Sequence, residues 1–158
     1  MKAFLFVIAV GIVLGLAWPS GRATAPVATA MASDPGDEEP KETLLERSEG
    51  GHFYANVEVN GQLVRFLVDT GATGVALTEA DAERVGLEFD RGDYEPVGMG
   101  ASGPVRGKFV TLDKVSLDGK AVRNVEGAIL EGGDMSLLGQ NYLGRFSVEM
   151  RGDTMRIY

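Results

Sequence analysis

The sequence predicts an all-β domain, a compact barrel of short strands with one or two short helices. Three observations support this fold class. Apolar and polar residues alternate over short runs, glycine-rich turn signals separate the runs, and few residues show helical periodicity or capping. Such a pattern is typical of small closed β-barrels. We expect this domain to occupy residues 50–158.

The first elements of the domain are predicted to be a β-hairpin and a short helix. Residues 53–59 alternate, Asn60-Gly61 is a strong two-residue turn signal, and the alternation resumes over residues 62–68. The segment Thr78–Asp81 is a variant of the capping box, which predicts a helix over Glu79–Val85. Gly86 is placed to end that helix.

The rest of the domain is predicted to consist of strands. Asp118-Gly119 supplies a turn between the two longest of them, and Arg151–Thr154 separates the last two. The predicted strands cover residues 94–98, 104–117, 120–130, 146–150 and 155–158. Because only one or two short helices are predicted, we expect the barrel to be built mainly from strands.

The N-terminal region differs from this domain in composition. Lys2 precedes sixteen uncharged, mostly apolar residues, whose helix would be roughly 24 Å long against a hydrocarbon core of roughly 30 Å. We interpret residues 1–20 as a retained membrane anchor or, alternatively, a signal cleaved before secretion; either places the domain outside the cytoplasm. Residues 21–49 read as a flexible acidic tether, in which Leu44-Leu45 adds at most one helical turn.

Composition excludes several classes of function. The 158 residues include no cysteine and one histidine, His52. A disulfide framework, a Cys-based zinc site, an iron–sulfur cluster and a thiol nucleophile are therefore excluded, and so is a multi-histidine metal site within one chain. The net charge of −8 argues against a nucleic-acid partner. We expect neither a metal nor a cofactor.

The segment Phe66–Thr73 carries the chemistry. A strand of large apolar residues ends at Asp69, where low-dielectric surroundings disfavour ionisation unless hydrogen-bond donors surround the carboxyl group. Gly71 allows a tight turn that brings N–H groups toward that carboxyl. The Thr73 hydroxyl can donate to it, and Thr70 can tie the loop to a neighbour. Taken alone, an Asx-type turn at a strand end explains the same tripeptide.

This segment resembles the active-site loop of the retropepsin-like aspartic proteases, whose signature is apolar-apolar-Asp-Thr/Ser-Gly-Ala-Ser/Thr. The matching positions are Asp69, Thr70, Gly71, Ala72 and Thr73. The glycine-rich segment that corresponds to the family's flap hairpin comprises Gly98, Met99, Gly100, Ala101, Ser102 and Gly103. The apolar-apolar-Gly segment that the family packs beneath its catalytic loop corresponds to Leu137, Leu138 and Gly139.

The resemblance is strongest to the membrane-tethered, single-domain bacterial members of the family, which implies a location in the bacterial periplasm. It covers residues 51–158 and implies a retropepsin-like acid-protease barrel. One departure concerns Gln140, which stands where retroviral members have an arginine. An arginine contact that supports the dimer is therefore not expected here.

The resemblance also implies a mechanism that needs two chains. Aspartic proteolysis uses two carboxyl groups that share one proton, and this sequence has one Asp-Thr-Gly. An active enzyme would be a homodimer in which Asp69 of each copy activates a water against a polypeptide substrate, a protein outside the cytoplasm. Two alternatives remain open: a membrane-tethered β-barrel that binds peptides without cleaving them, and an exported structural domain in which Asp-Thr-Gly is only a turn.

Overall fold

The computed structural model of the protein describes residues 38–100 and 103–158. The predicted anchor or signal (residues 1–20), most of the predicted tether, and Ala101 and Ser102 lie outside the described residues. In the described part of the chain, no helix has the length and apolar character needed to cross a membrane.

The described residues form ten strands, two short α-helices and one 3₁₀ turn at Arg91–Asp93. The strands are β1 (Thr43–Glu46), β2 (Tyr54–Val59), β3 (Gln62–Val68), β4 (Val75–Thr78), β5 (Glu95–Gly100), β6 (Gly103–Leu117), β7 (Lys120–Leu130), β8 (Ser136–Leu138), β9 (Val148–Arg151) and β10 (Thr154–Ile157). The helices are α1 (Glu79–Arg84) and α2 (Gln140–Leu143). The predicted all-β fold class is confirmed.

Six strands close into a barrel. Their order is β2-β3-β8-β4-β7-β6, and β6 pairs back onto β2 through Glu58↔Ser116 and Val59↔Val115. Strand β5 extends the sheet beyond the ring as the partner of β6. The closed ring leaves no free edge between its members, so the barrel holds one continuous core.

Parallel pairings position the site at one end of this barrel. Strand β8 runs parallel to β3, with Val68 opposite Leu138, and β4 runs parallel to β7. Strands β3 and β8 therefore end side by side. The loop after β3 begins at Asp69, and helix α2 begins just after β8, so the loop and the helix are neighbours.

Side-chain alternation fills the core. Alternate residues of β2 (Ala55, Val57 and Val59) point inward and are buried. All four residues of β4 are buried, because this short strand lies between β8 and β7 and is covered by α1. The largest fully buried side chain is Tyr142 of α2. Its hydroxyl accepts a hydrogen bond from Leu117 N and donates one to Lys120 O, so this buried polar group is satisfied.

The N-terminal boundary of the domain differs from the prediction. Residues 43–46, expected to be tether with at most a helical turn at Leu44-Leu45, form strand β1. It pairs antiparallel with β10 in a three-stranded sheet of order β1-β10-β9. Leu45 lies opposite Met155, which is buried, so the pairing covers part of the core. The tether prediction is wrong for residues 43–46. No local pattern indicated the strand, because its partner β10 is more than a hundred residues away in sequence.

Most other element bounds agree within two residues. Thr78 is the N-cap of α1 and accepts a hydrogen bond from Asp81 N, while Gly86 adopts φ +78°, as the capping signals predicted. The predicted strand 146–150 begins later, at Val148. Phe146 instead packs its ring 5.2 Å from that of Tyr142, before the strand begins.

Candidate active site

Asp69 lies immediately after β3, at the end of the barrel where β8 also ends. Its backbone N–H donates to Leu138 O at 3.1 Å, which extends the β3–β8 ladder by one residue. The residue before it, Val68, is buried, whereas Asp69 itself is half-buried. The carboxyl group is therefore fixed at the boundary between the core and an open cleft.

The turn after Asp69 surrounds one carboxylate oxygen with donors. Oδ1 accepts the backbone N–H groups of Gly71 at 2.9 Å and Ala72 at 3.2 Å. These bonds fix the orientation of the group. Oδ2 has no hydrogen-bond partner among residues 38–100 and 103–158, so it is available to a ligand or to another chain.

The sequence predicted that the Thr73 hydroxyl donates a hydrogen bond to Asp69. Within the described residues this bond is not formed, and both hydrogen bonds to the Asp69 carboxylate come from backbone N–H groups. Thr70 and Thr73 are both exposed. The backbone of Thr70 is held from within the chain, since Gln140 Nε2 donates to its carbonyl oxygen at 2.9 Å. Gln140 thus supports the Asp69 loop of its own chain.

Helix α2 packs directly beneath the loop. Gln140 N donates to Ala72 O at 2.9 Å, and Asn141 N donates to Thr73 O at 3.0 Å. Gly139 makes this approach possible, because a methyl group there would lie 2.2 Å from Gly74 O. The predicted segment Leu137, Leu138 and Gly139 is therefore placed under the loop. Leu138 is fully buried and Leu137 lines the cleft.

Asn141 is a supporting residue that sequence reasoning missed. Its Oδ1 accepts the N–H of Val75 at 3.1 Å, and its Nδ2 donates to Glu126 O at 2.5 Å. One side chain thereby joins the far end of the Asp69 loop to strand β7. The sequence offered one indication of this role, because Asn141 is a polar residue directly followed by the large residues Tyr142 and Leu143.

Strands β5 and β6 form a hairpin over the cleft. Met99 lies opposite Pro104 and Gly100 opposite Gly103, with a register irregularity between Pro96 and Gly98. The Met99 side chain is 77% exposed near the tip. Of the predicted flap, Gly98, Met99, Gly100 and Gly103 belong to this hairpin, and Gly98, Met99 and Gly100 line the same cleft as Asp69.

Tyr94 attaches the base of this hairpin to the barrel. Its hydroxyl donates to Glu79 at 2.7 Å, and its carbonyl oxygen accepts from Arg106 Nη2 at 2.9 Å. Burial, together with the bond to Glu79, raises the pKa of Tyr94 to about 12. The Arg91 guanidinium, which hydrogen-bonds Glu79, lowers the pKa of that carboxyl group. These contacts fix the base of the hairpin and leave its tip exposed.

The cleft between the hairpin and the barrel has a volume of about 950 Å³. Apolar side chains form much of its walls, among them Val97, Val105, Phe109, Leu130 and Leu137. The charged residues that line it in the described part of the chain are Asp69 and Glu126. No group of three or more His, Asp or Glu side chains in the described residues is placed to hold a metal ion. The geometry suits an extended apolar ligand that reaches a carboxyl group.

Comparisons with known proteins agree with this geometry. The family described as "gag-polyprotein putative aspartyl protease" matches residues 55–145. A crystal structure of a retropepsin-like aspartic protease from Rickettsia conorii is similar to this chain with a TM-score of 0.63 and 34% identity, covering 75% of this chain and 90% of that chain. The chain belongs to the retropepsin-like aspartic protease family.

Two curated relatives extend the comparison. The uncharacterized protein RP867 of Rickettsia prowazekii (strain Madrid E) is 37% identical over 106 residues, which cover 66% of this chain and 46% of that protein. An uncharacterized protein encoded in the cobV 5′ region of Sinorhizobium sp. is 33% identical over 120 residues, which cover 74% of this chain and 52% of that protein. The chain thus spans about half the length of the curated relatives it matches.

Proposed function

We propose that the protein is an aspartic endopeptidase that works as a homodimer, with Asp69 of each copy in one shared site. The observation that carries this proposal is the position of Asp69. Its carboxylate is fixed by two backbone N–H groups at the floor of an open cleft, beneath a glycine-rich hairpin. The barrel that carries this cleft matches an aspartyl protease family. An Asx-type turn alone does not account for the cleft or for the hairpin above it.

The proposed chemistry needs two carboxyl groups about 3 Å apart, which cannot both ionise and therefore share one proton. The ionised Asp69 acts as general base and takes a proton from a water that attacks the scissile carbonyl carbon. The protonated Asp69 of the second copy donates a hydrogen bond to the carbonyl oxygen and stabilises the developing oxyanion. Oδ2, which has no partner in the described part of the chain, is the oxygen left for this work.

A second copy is proposed because one chain supplies one such motif. The loop presents the exposed Thr70 and Thr73 beside Asp69, so the surface around the carboxylate is available to a partner chain. In a two-fold dimer the same loop of each copy would meet at the axis. The cleft would then continue from one copy into the other and hold an extended polypeptide.

The substrates we propose are proteins outside the cytoplasm, with apolar side chains next to the scissile bond. The apolar cleft walls support the preference for apolar side chains. The apolar run after Lys2 supports a membrane-linked location, with residues 1–20 as anchor and the bacterial periplasm as the compartment. Secretion after cleavage of a signal is the alternative, and N-terminal sequencing of the mature protein distinguishes the two.

The test compares the wild-type full chain with Asp69→Asn on a library of fluorogenic peptides. We expect Asp69→Asn to lower kcat/KM by about 10²–10⁴-fold, because it removes the general base. The matched control is Asp134→Asn, which makes the same chemical change at an exposed carboxyl group outside the cleft. Full activity in Asp69→Asn refutes the mechanism. Tight peptide binding by the wild type without any cleavage supports the non-catalytic alternative.

A mixing experiment tests the shared site. When wild-type and Asp69→Asn chains are mixed in equal amounts and allowed to exchange, one dimer in four contains two wild-type copies. We therefore expect the activity to fall to about a quarter of that of the same total amount of wild-type chain. A fall to about half shows that each chain works alone and overturns the homodimer.

A further inference from the structure

We infer that Glu126 is a specificity-determining residue, which selects substrates that carry a lysine or arginine side chain at a position removed from the scissile bond. This inference rests on the proposed peptidase function and adds a charged requirement to its apolar substrate preference. The argument starts from the charges that line the cleft. In the described residues they are Asp69 and Glu126, with no lysine, arginine or histidine among the lining side chains.

Glu126 lies on an open face of the β6–β7 ladder. It is directly opposite Thr111, and Ala128, two residues further along β7, is opposite Phe109. Directly opposed residues of an antiparallel pair project to the same face, and residues two apart on a strand share a face. Glu126 and Phe109 are therefore diagonal neighbours, and the Phe109 ring is 58% exposed.

The Glu126 carboxylate has no hydrogen bond or ion pair within residues 38–100 and 103–158. On β6, Arg106 pairs with Glu131 at 3.4 Å and Lys108 pairs with Asp93 at 2.8 Å, and both residues alternate with Phe109, so they project to the opposite face of the strand. The backbone of Glu126 is fixed, because Asn141 Nδ2 donates to its carbonyl oxygen. A fixed residue with an unpaired carboxylate in a binding cleft attracts a cation.

The position of Glu126 relative to Asp69 sets where that cation lies. Asn141 links Glu126 to Val75, which is at the opposite end of the catalytic loop from Asp69. The backbone of Glu126 is therefore attached at the end of the loop away from Asp69, and we expect the basic residue of the substrate to bind away from the scissile bond. A guanidinium or ammonium group there meets the carboxylate of Glu126 and the ring of Phe109, and both contacts favour a cation. In the proposed dimer, a second Glu126 stands on the other side of the scissile bond.

The experiment measures kcat/KM of the full chain on short peptides in which each position carries, in turn, arginine, norleucine or glutamate. We expect arginine to be preferred over norleucine by about three- to tenfold at one or more positions away from the cleaved bond. Glu126→Gln removes this preference, and Glu126→Lys transfers it to glutamate. The preference weakens as NaCl is raised, because the contact is partly exposed.

The matched control is Glu83→Gln, which removes the same charge from an exposed position of α1 outside the cleft and should leave the arginine preference unchanged. A preference for arginine that survives in Glu126→Gln overturns the inference, as does a wild type that ignores arginine at every position. Both results leave the peptidase proposal standing.

A binding assay separates this inference from the proposed function. Fluorescence anisotropy with the same peptides is measured on Asp69→Asn and on the double variant Asp69→Asn/Glu126→Gln. Weaker binding of arginine peptides by the double variant supports the inference even if the wild type cleaves nothing. Equal binding by both proteins overturns it.

Discussion

The variant Gly139→Ala tests how the Asp69 loop is held by helix α2. The backbone of Gly139 has φ −99° and ψ −171°, which alanine adopts without strain. The added methyl group, however, would lie 2.2 Å from Gly74 O and 2.8 Å from Ala72 O. These are backbone atoms of the loop and cannot rotate away, so α2 and the loop must separate.

The magnitude follows from what this separation breaks. Overpacking a rigid site costs about 1–3 kcal/mol, and a backbone clash belongs at the upper end of that range. The hydrogen bonds from Gln140 N to Ala72 O and from Asn141 N to Thr73 O add about 1 kcal/mol each. We therefore expect Gly139→Ala to lower the free energy of unfolding by about 3–5 kcal/mol, and to lower kcat/KM because the loop that holds Asp69 moves.

The assay is urea denaturation of the full chain followed by far-UV circular dichroism. Gly50→Ala is the matched control, since a methyl group at Gly50 would have its nearest neighbour, a carbon of the His52 ring, at 3.7 Å. The control should change the free energy of unfolding by less than about 0.5 kcal/mol. If Gly139→Ala is as stable as this control, the loop does not depend on the close approach of α2, and the reasoning is refuted.

Two further predictions concern buried tyrosines. Tyr142→Phe leaves Leu117 N and Lys120 O without their partner, so the free energy of unfolding should fall by about 1–3 kcal/mol in the same urea titration; a change below about 0.5 kcal/mol would contradict this. Tyr94, whose pKa rises to about 12 because of burial and the bond to Glu79, contributes stability that is present below pH 10 and lost as the pH rises through 12. Tyr94→Phe should lose less stability than wild type over that interval, and an identical pH profile would contradict the assignment.

Local patterns were sufficient to predict much of the fold. The Asn60-Gly61 turn, the Thr78 cap and the long β6–β7 hairpin all depend on residues near each other in sequence. Strand β1 was missed because its alternation is too short to be recognised without β10, its partner. Strand β8 has three residues and is held by β3 on one side and β4 on the other, which no local pattern specifies.

The candidate site also has one part that local sequence predicts and one part that it does not. The loop around Asp69 was predicted because the residues that define it, 69–73, are consecutive in the sequence. Glu126 and Phe109 are neighbours on the β6–β7 hairpin, but the hairpin alone does not show that it lines the cleft. The parallel pairing of β4 with β7 places this hairpin next to the Asp69 loop, and Asn141 reaches the same loop from α2. For Thr73 the local sequence was misleading. In the described residues the Asp69 carboxylate accepts hydrogen bonds from two backbone N–H groups and not from the Thr73 hydroxyl.

Strand β1 has a practical consequence for how the protein is handled. A shortened protein that starts at residue 50 would lack β1. Strand β10 would then become an edge strand, with backbone N–H and C=O groups of Thr154–Ile157 unpaired on that side. Such edges recruit strands from other molecules and promote aggregation. Expression of the barrel domain should therefore begin upstream of Lys41, whose backbone N–H also donates to Asp118 O in the β6–β7 turn.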